Sequence, residues 1–157
     1  MRLTVFSDYT MRVLICLALS DKKLTQIGDI AQAYDVSKAH LVKVVQFLNA
    51  QGYVETVQGK NGGIRLIARP ASINVGSVIR VCERDSALVQ CFKKKPTENR
   101  CRIKKACLLR GIFESATEAF YAELDRYTLA DLLESGPEVV PLLFRPRPKK
   151  AAAAPES

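Results

Sequence analysis

The sequence predicts a mainly α-helical protein with one small β-hairpin and a long C-terminal helix. Two observations predict this class. Apolar residues recur at helical spacing in five separate stretches, and two short β-branched runs flank a glycine-rich turn. With 157 residues, 48% of them hydrophobic, the chain is long enough to bury a core of its own.

Three helices are predicted in the first part of the chain, over residues 9–20, 26–34 and 38–51. Ser7 and Asp8 offer N-cap oxygens to the first helix, and Thr25 offers one to the second. Gly52 follows the third helix, as glycine commonly does just past a helix end. The turn 35–37 joins the second and third helices into a helix-turn-helix, whose second helix can lie in a DNA major groove.

A β-hairpin follows the three helices. Residues 53–57 and 64–67 are its predicted strands, and the turn between them is rich in glycine and asparagine. A fourth helix is expected over residues 74–83. Helices followed by a hairpin are the order of a winged helix, so residues 1–83 are predicted to form a winged helix-turn-helix that binds DNA.

The charge of the chain supports a nucleic-acid partner. The formal net charge is +8, and the basic residues are concentrated in 1–110, whereas 111–144 is acidic. Such a surface attracts polyanions, although a merely solvated basic surface is the alternative. No apolar run reaches the roughly 20 residues of a membrane span. The chain has no nucleotide-binding glycine loop and no catalytic histidine–carboxylate pairing, so we do not expect an enzyme. We expect a cytoplasmic protein that does not bind a membrane.

A long helix is predicted near the C-terminus, over residues 108–133, with an apolar seam at steps of three and four: Leu109, Phe113, Ala116, Phe120, Leu124 and Tyr127. The domain of the same chain is too small to cover an apolar seam of this length. We therefore expect residues 108–144 to form a homodimer, the alternative being that the helix packs on its own winged helix. Residues 145–157 are predicted to be a disordered tail.

The cysteines suggest a metal centre in the intervening loop, residues 84–107. Cys91, Cys101 and Cys107 follow the pattern C-x9-C-x5-C, which lacks the paired C-x2-C knuckles of most structural zinc sites. An iron–sulfur cluster is favoured, with zinc and simple thiols left open. Cys16 and Cys82 lie on apolar helix faces and are predicted to be core residues.

Several motifs together resemble a known family. They are the start 1–9, the wing 59–66, the three loop cysteines and the segment 127–132. Their combination is similar to the iron–sulfur winged-helix regulators, the family of IscR, RirA and NsrR, and most of all to its nitric-oxide-sensing repressors. The resemblance spans residues 1 to about 144.

The resemblance implies a cofactor and a signal. Cys91, Cys101 and Cys107 match the family's three cluster ligands, and Asp8 of the partner subunit matches a fourth ligand used by some members. The cluster would be of the 4Fe-4S type, with 2Fe-2S the other option, and its nitrosylation by nitric oxide would release the operator. A sensor of iron or of cluster status on the same scaffold is the alternative. Asp8 is alternatively a helix N-cap, and Arg12 a partner for its carboxylate.

The predicted DNA contacts lie on the third helix and on the wing. Ser37, Lys38, His40 and Lys43 are expected near base edges and phosphates, and Lys60 and Asn61 are expected at the adjacent backbone or minor groove. A two-fold dimer predicts a pseudo-palindromic operator in double-stranded DNA. The sequence departs from the family in two places: the first cysteine gap is longer than in several relatives, and Gln58 stands where many relatives have arginine.

Overall fold

Seven main elements make up the fold of the computed structural model: α1 (Val5–Leu19), α2 (Ile27–Tyr34), α3 (Lys38–Ala50), β1 (Val54–Val57), β2 (Gly63–Leu66), α4 (Val75–Cys82) and α5 (Leu108–Asp125). The structure describes residues 3–20, 22–59, 61–84, 87–92, 101–103, 106–134, 138, 140 and 141. The predicted tail 145–157 and Lys60 lie outside these residues. The mainly α-helical class with one hairpin is confirmed.

Helix α1 begins earlier than the sequence predicts. Its N-cap is Thr4, whose hydroxyl accepts a hydrogen bond from the backbone N–H of Ser7 at 3.2 Å. Ser7 and Asp8 therefore lie inside the first turn rather than capping it. The cap was missed because the apolar periodicity becomes clear only further along the helix, whereas capping depends on a single side-chain oxygen.

The helix-turn-helix is closed by one left-handed residue. Asp35 has φ 55 and ψ 48, and its backbone N–H bonds to the last carbonyl groups of α2. An aspartate tolerates this conformation better than most residues. Ser37 is then the N-cap residue of α3, although its side chain makes no capping hydrogen bond. The predicted three-residue turn is confirmed.

The wing is a two-stranded antiparallel hairpin with one further bridge. Val54 pairs with Leu66 and Val57 with Gly63. Thr25, just before α2, forms an antiparallel bridge with Ile64 through two backbone hydrogen bonds of 2.9 Å. Thr25 is therefore not the predicted N-cap of α2; Gln26 occupies that position.

The main core lies between α1, α3 and the hairpin. Its most deeply buried side chains come from α1, α2, α3, β1 and α4, and one comes from beyond α5: Val13, Leu14, Ile30, Leu48, Val54, Val78 and Leu129. The last of these shows that the chain returns to the core after the long helix. We call residues 3–83 together with 127–133 the head.

Helix α5 ends at Asp125, rather than at the predicted Leu133. Beyond it, Thr128 bridges to Asn74, and the backbone N–H of Leu129 donates to the carbonyl of Ile73 at 2.8 Å. A short 3-10 turn, Asp131–Leu133, follows this pairing. These backbone bonds explain why the helix stops: the segment pairs with the start of α4 instead of continuing to coil.

One ion pair joins α4 to the C-terminal end of α5. The guanidinium of Arg80 makes a bidentate contact with the carboxylate of Asp125 and lies over the ring of Tyr121, 4.7 Å from its centroid. A Cβ atom on Gly76 would come within 2.1 Å of the Asp125 carboxylate, so only glycine permits this approach. The arrangement lowers the pKa of Asp125, mainly through its hydrogen bond with Arg80.

Among the helices that the structure describes, none is both long and apolar enough to cross a membrane.

Candidate nucleic-acid interface and metal centre

The outer face of α3 carries the predicted major-groove residues. Ser37, Lys38, His40 and Lys43 are all exposed. The opposite face of the same helix is buried in the core through Leu41, Val44, Val45 and Leu48. This division leaves the cationic and hydrogen-bonding groups on one face, where a DNA groove would meet them.

Two further exposed polar side chains, one on α3 and one on the wing, were not predicted as DNA contacts. Gln46 is exposed one helical turn beyond Lys43, and glutamine can pair with an adenine edge. The i+3 spacing from Lys43 is the signal that would have found it. Arg65 of the wing is exposed on β2, and its guanidinium contacts Glu55 on β1 at 2.7 Å.

The wing turn is shaped by its glycines. Gly59 has φ +108, and the backbone N–H of Gly62 donates to its carbonyl at 3.0 Å. A Cβ on Gly62 would lie 2.2 Å from the Val57 carbonyl oxygen, so the turn itself requires glycine there. Asn61 is exposed at this turn, as predicted.

Helix α1 lies directly on the recognition helix through aromatic contacts. The rings of Phe6 and Phe47 meet edge to face, with their centroids 5.2 Å apart. The ring of Tyr9 lies 6.3 Å from that of His40, a predicted DNA contact. Because these contacts lie near both ends of α3, a displacement of the start of α1 would act on the whole of α3.

Asp8 lies between these aromatic residues and forms an ion pair. Its carboxylate contacts Arg12 on the next turn at 2.9 and 3.0 Å, and both side chains are partly exposed. The pKa of Arg12 is raised, chiefly by its hydrogen bond with Asp8. The guanidinium also lies 5.4 Å from the ring centroid of Tyr34 in α2. Of the alternatives raised by the sequence, the surface pair with Arg12 is present and the N-cap is not.

Glu83, at the end of α4, holds the start of α1. One carboxylate oxygen accepts hydrogen bonds from the backbone N–H and the hydroxyl of Thr4, each at 2.8 Å, and from the hydroxyl of Ser7. Glu83 is buried, with 6% of its surface exposed. Because the cysteine loop begins at the next residue, this contact ties the base of that loop to the turn that carries Asp8. Sequence reasoning missed Glu83, since no local pattern links residues so far apart.

The three loop cysteines precede α5 in the chain. Cys91 lies in a short 3-10 turn, Cys101 in an irregular segment, and Cys107 is the N-cap residue of the helix. All three are half-buried. Within the described part of the chain, no three Cys, His, Asp or Glu side chains are close enough together to hold a metal ion. The donor set fits an iron–sulfur centre in kind, since three thiols are available, but holding one requires them to draw together with a fourth ligand.

The other two cysteines belong to the head. Cys16 is buried with 1% of its surface exposed, and burial raises the pKa of its thiol to about 11. Cys82 is half-buried, and desolvation is the main cause of its raised pKa. Cys16 is thus a core residue, as predicted, and Cys82 packs at the edge of the core.

Comparison with known proteins identifies the family. The sequence profile of the Rrf2 family, described as iron-dependent transcriptional regulators, matches residues 3–135. The chain belongs to the Rrf2 family. Rrf2 membership confirms the resemblance seen in the sequence and makes the chain a transcriptional regulator with a winged helix, the module with which such regulators bind DNA.

Two relatives with the same name extend this result within the Rrf2 family. The chain is 47% identical over 135 residues to the HTH-type transcriptional regulator NsrR of Geobacillus kaustophilus, covering 85% of this chain and 90% of the relative. It is 43% identical over 144 residues to the regulator of the same name from Bacillus subtilis, covering 91% and 97%. These relatives are regulators and not enzymes, in agreement with the prediction.

A solved structure supports the fold. IscR of T. potens superimposes with a TM-score of 0.67 at 24% identity, covering 88% of this chain and 90% of that one. The predicted winged helix-turn-helix followed by a long helix is therefore the architecture of this Rrf2 protein.

Proposed function

We propose that this Rrf2 protein is a cytoplasmic repressor that senses nitric oxide through an iron–sulfur centre and then releases its operator. The observation that carries the proposal is similarity along nearly the whole chain to regulators named NsrR, at 47% identity in one case. The three half-buried thiols of the loop before the long helix, Cys91, Cys101 and Cys107, are the donor set.

The DNA-binding surface is formed by α3 and the wing. Lys38, His40 and Lys43, with Ser37 at the start of the helix, face base edges and phosphates in the major groove. Asn61 and Lys60 approach the flanking backbone or minor groove. The lysines supply affinity through phosphate contacts, and His40 and Gln46 supply groups that can distinguish bases.

A homodimer places two such surfaces on one operator. Leu108, Leu109 and Ile112 on the first turns of α5 are 81%, 53% and 54% exposed, which leaves an apolar face for a second copy of the chain. A two-fold axis that relates the two copies predicts an operator with a pseudo-palindromic sequence.

Cys91, Cys101 and Cys107, with Asp8 of the partner subunit, are the residues that would hold the centre, of the 4Fe-4S type. When bound, the centre supplies iron that reacts with nitric oxide. The thiols are soft ligands suited to iron–sulfur chemistry, and a carboxylate is a weaker fourth ligand. Because Asp8 belongs to the head of one subunit and the cysteines to the loop of the other, this ligand set connects the two subunits.

The coupling to DNA follows from the contacts of α1. Asp8 already pairs with Arg12 through both carboxylate oxygens, so ligation by Asp8 would alter this pair, and Arg12 lies against Tyr34 of α2. The flanking residues Phe6 and Tyr9 contact α3. A change at Asp8 therefore reaches both helices of the helix-turn-helix. Coupling free energies of this kind are about 1–3 kcal/mol, which corresponds to roughly 5- to 150-fold in DNA affinity.

A sensor of iron or of cluster status is the second candidate. The description of the Rrf2 family as iron-dependent favours it. It would use the same ligands and the same DNA-binding surface, so only the response to the signal separates the two candidates.

The deciding experiment measures operator affinity and cofactor content together. Anaerobically purified protein is analysed for iron and sulfide, and its affinity for DNA is measured after addition of nitric oxide or of a mild iron chelator. About four irons per chain support the 4Fe-4S type and about two the 2Fe-2S type. Rapid release by nitric oxide supports the first candidate. Release by the chelator with indifference to nitric oxide supports the second, and a colourless zinc protein refutes both.

A further inference from the structure

Gln26 has a side chain that its own helix does not use. It is the N-cap residue of α2, yet its side chain makes no capping hydrogen bond. Glutamine is also not among the residues favoured at that position. Its carboxamide nitrogen instead donates to the backbone carbonyl of Gly62 in the wing turn.

The backbone beside Gln26 is already joined to the wing. Thr25 and Ile64 exchange two hydrogen bonds of 2.9 Å, and Thr25 is 1% exposed. A Cβ atom on Gly63 would lie 2.9 Å from the Thr25 carbonyl oxygen. The base of the wing therefore sits against the start of α2 with no space between them.

The turn beyond this base needs a restraint. It contains Gly59 and Gly62, and glycine has more backbone freedom than any other residue. Gly62 also closes the turn, through its N–H bond to the Gly59 carbonyl. The side-chain amide of Gln26 donates to the carbonyl of Gly62 itself. The peptide that joins this turn to β2, one residue beyond the exposed Asn61, is thus held from the start of α2.

We propose that Gln26 is a positioning residue for the wing: it orients the turn between β1 and β2 so that the wing and α3 can contact the same DNA duplex. Gln26 itself need not contact DNA. The inference rests on the DNA-binding role proposed above, and it adds to that role a residue outside both predicted contact surfaces.

The test compares Gln26→Ala and Gln26→Glu with Gln32→Ala in the full-length, anaerobically purified protein. Glutamate keeps the size of the side chain but cannot donate to the Gly62 carbonyl. Gln32 is an exposed glutamine of the same helix and serves as the matched control. The DNA probe is an operator that the wild-type chain selects from random double-stranded DNA.

Both Gln26 variants should bind the operator about fivefold to tenfold more weakly, because one hydrogen bond and the DNA contacts that it orients are lost. The slope of log affinity against log salt should become shallower by about one, for one lost phosphate contact. Hydroxyl-radical protection should weaken at the outer flanks and persist over the major-groove site. Gln32→Ala should stay within about twofold of wild type.

Three results would overturn the inference. The Gln26 variants could bind with wild-type affinity and salt slope. They could lose protection evenly across the operator together with a lower unfolding midpoint, which would indicate a purely structural role. Finally, a wild-type chain that selects no DNA would refute the DNA-binding role and this inference with it, whereas the first two results leave that role intact.

Discussion

The head and the first turns of α5 differ in how they bury apolar surface. In the head, Leu14, Ile30 and Leu48 are completely buried. Helix α5 has no buried residue along its whole length, and Leu108 at its start is 81% exposed. Helix α3 of the head and α5 are about equally apolar, so composition alone does not explain the difference.

The difference lies in what each region packs against. The head closes its core within one chain, because α1, α3, the hairpin and the returning segment surround the same interior. Helix α5 is anchored to the head near its C-terminal end, through Asp125 and Tyr121 on Arg80. On its first turns, the apolar side chains of Leu108, Leu109 and Ile112 are exposed. The described part of the chain thus combines a head with a closed core and a helix whose first turns expose apolar side chains.

The largest effect is expected from a core substitution in the head. Leu48→Ala should lower the free energy of unfolding by about 2–5 kcal/mol, because it removes buried methyl groups and leaves a cavity. Urea unfolding followed by circular dichroism measures the change. Ile67→Ala, at a residue that is 57% exposed, is the control and should cost about 0.5 kcal/mol or less. Equal losses for both variants would contradict the assignment of the core.

The rate at which cysteine thiols react should differ almost as strongly between the head and the loop before α5. With the pKa of Cys16 at about 11, its thiolate fraction at neutral pH is roughly a hundredfold below that of an ordinary cysteine. Iron-free protein treated with a maleimide should therefore be labelled at Cys101 and Cys107 well before Cys16. Peptide mass spectrometry at increasing times gives the order. Labelling in urea is the control, where Cys16 should lose its protection, and early native labelling of Cys16 would show that the head opens readily.

A smaller effect is expected from the apolar face of α5. Leu109→Glu should leave the fold of the head intact and weaken self-association about 10- to 100-fold, the range for removing one leucine from a buried interface. Sedimentation velocity over a concentration series measures it. Glu118→Gln, at an exposed polar residue of the same helix, serves as the control. A Leu109→Glu protein that remains dimeric would place the interface elsewhere.

The smallest effect concerns the ion pair that joins the two regions. The pKa of Asp125 is lowered in the folded protein, so its contribution is present above the ordinary carboxyl pKa and is lost as the pH falls through the lowered value. Asp125→Asn should therefore reduce stability slightly at neutral pH and flatten the decline below about pH 4. Urea midpoints measured from pH 3 to 7 test this. Added salt should narrow the difference between the two proteins, since the pair is partly exposed, and parallel pH curves would contradict the prediction.

Much of the head could be predicted because local patterns specify it. Apolar spacing located α2, α3, the hairpin and α4, and the exposed positions Lys38 and Lys43 followed directly from the helical period. The start of α1 was placed too late because Thr4 acts through one capping bond, which periodicity does not report. The end of α5 was placed too late because the apolar pattern continues past Asp125 into residues that pack in the head.

The sequence by itself determined the class of fold, the cationic face of the third helix and the set of thiols, because these depend on residue type and on spacing along one chain. Only the tertiary structure decided that Thr25 and Gln26 bond to the wing, that Glu83 holds the start of α1, and that Leu129 completes the core. These contacts join residues far apart in the sequence. Their partners are selected by the shape of the folded interior and by the need to pair buried polar groups, and no local pattern records either.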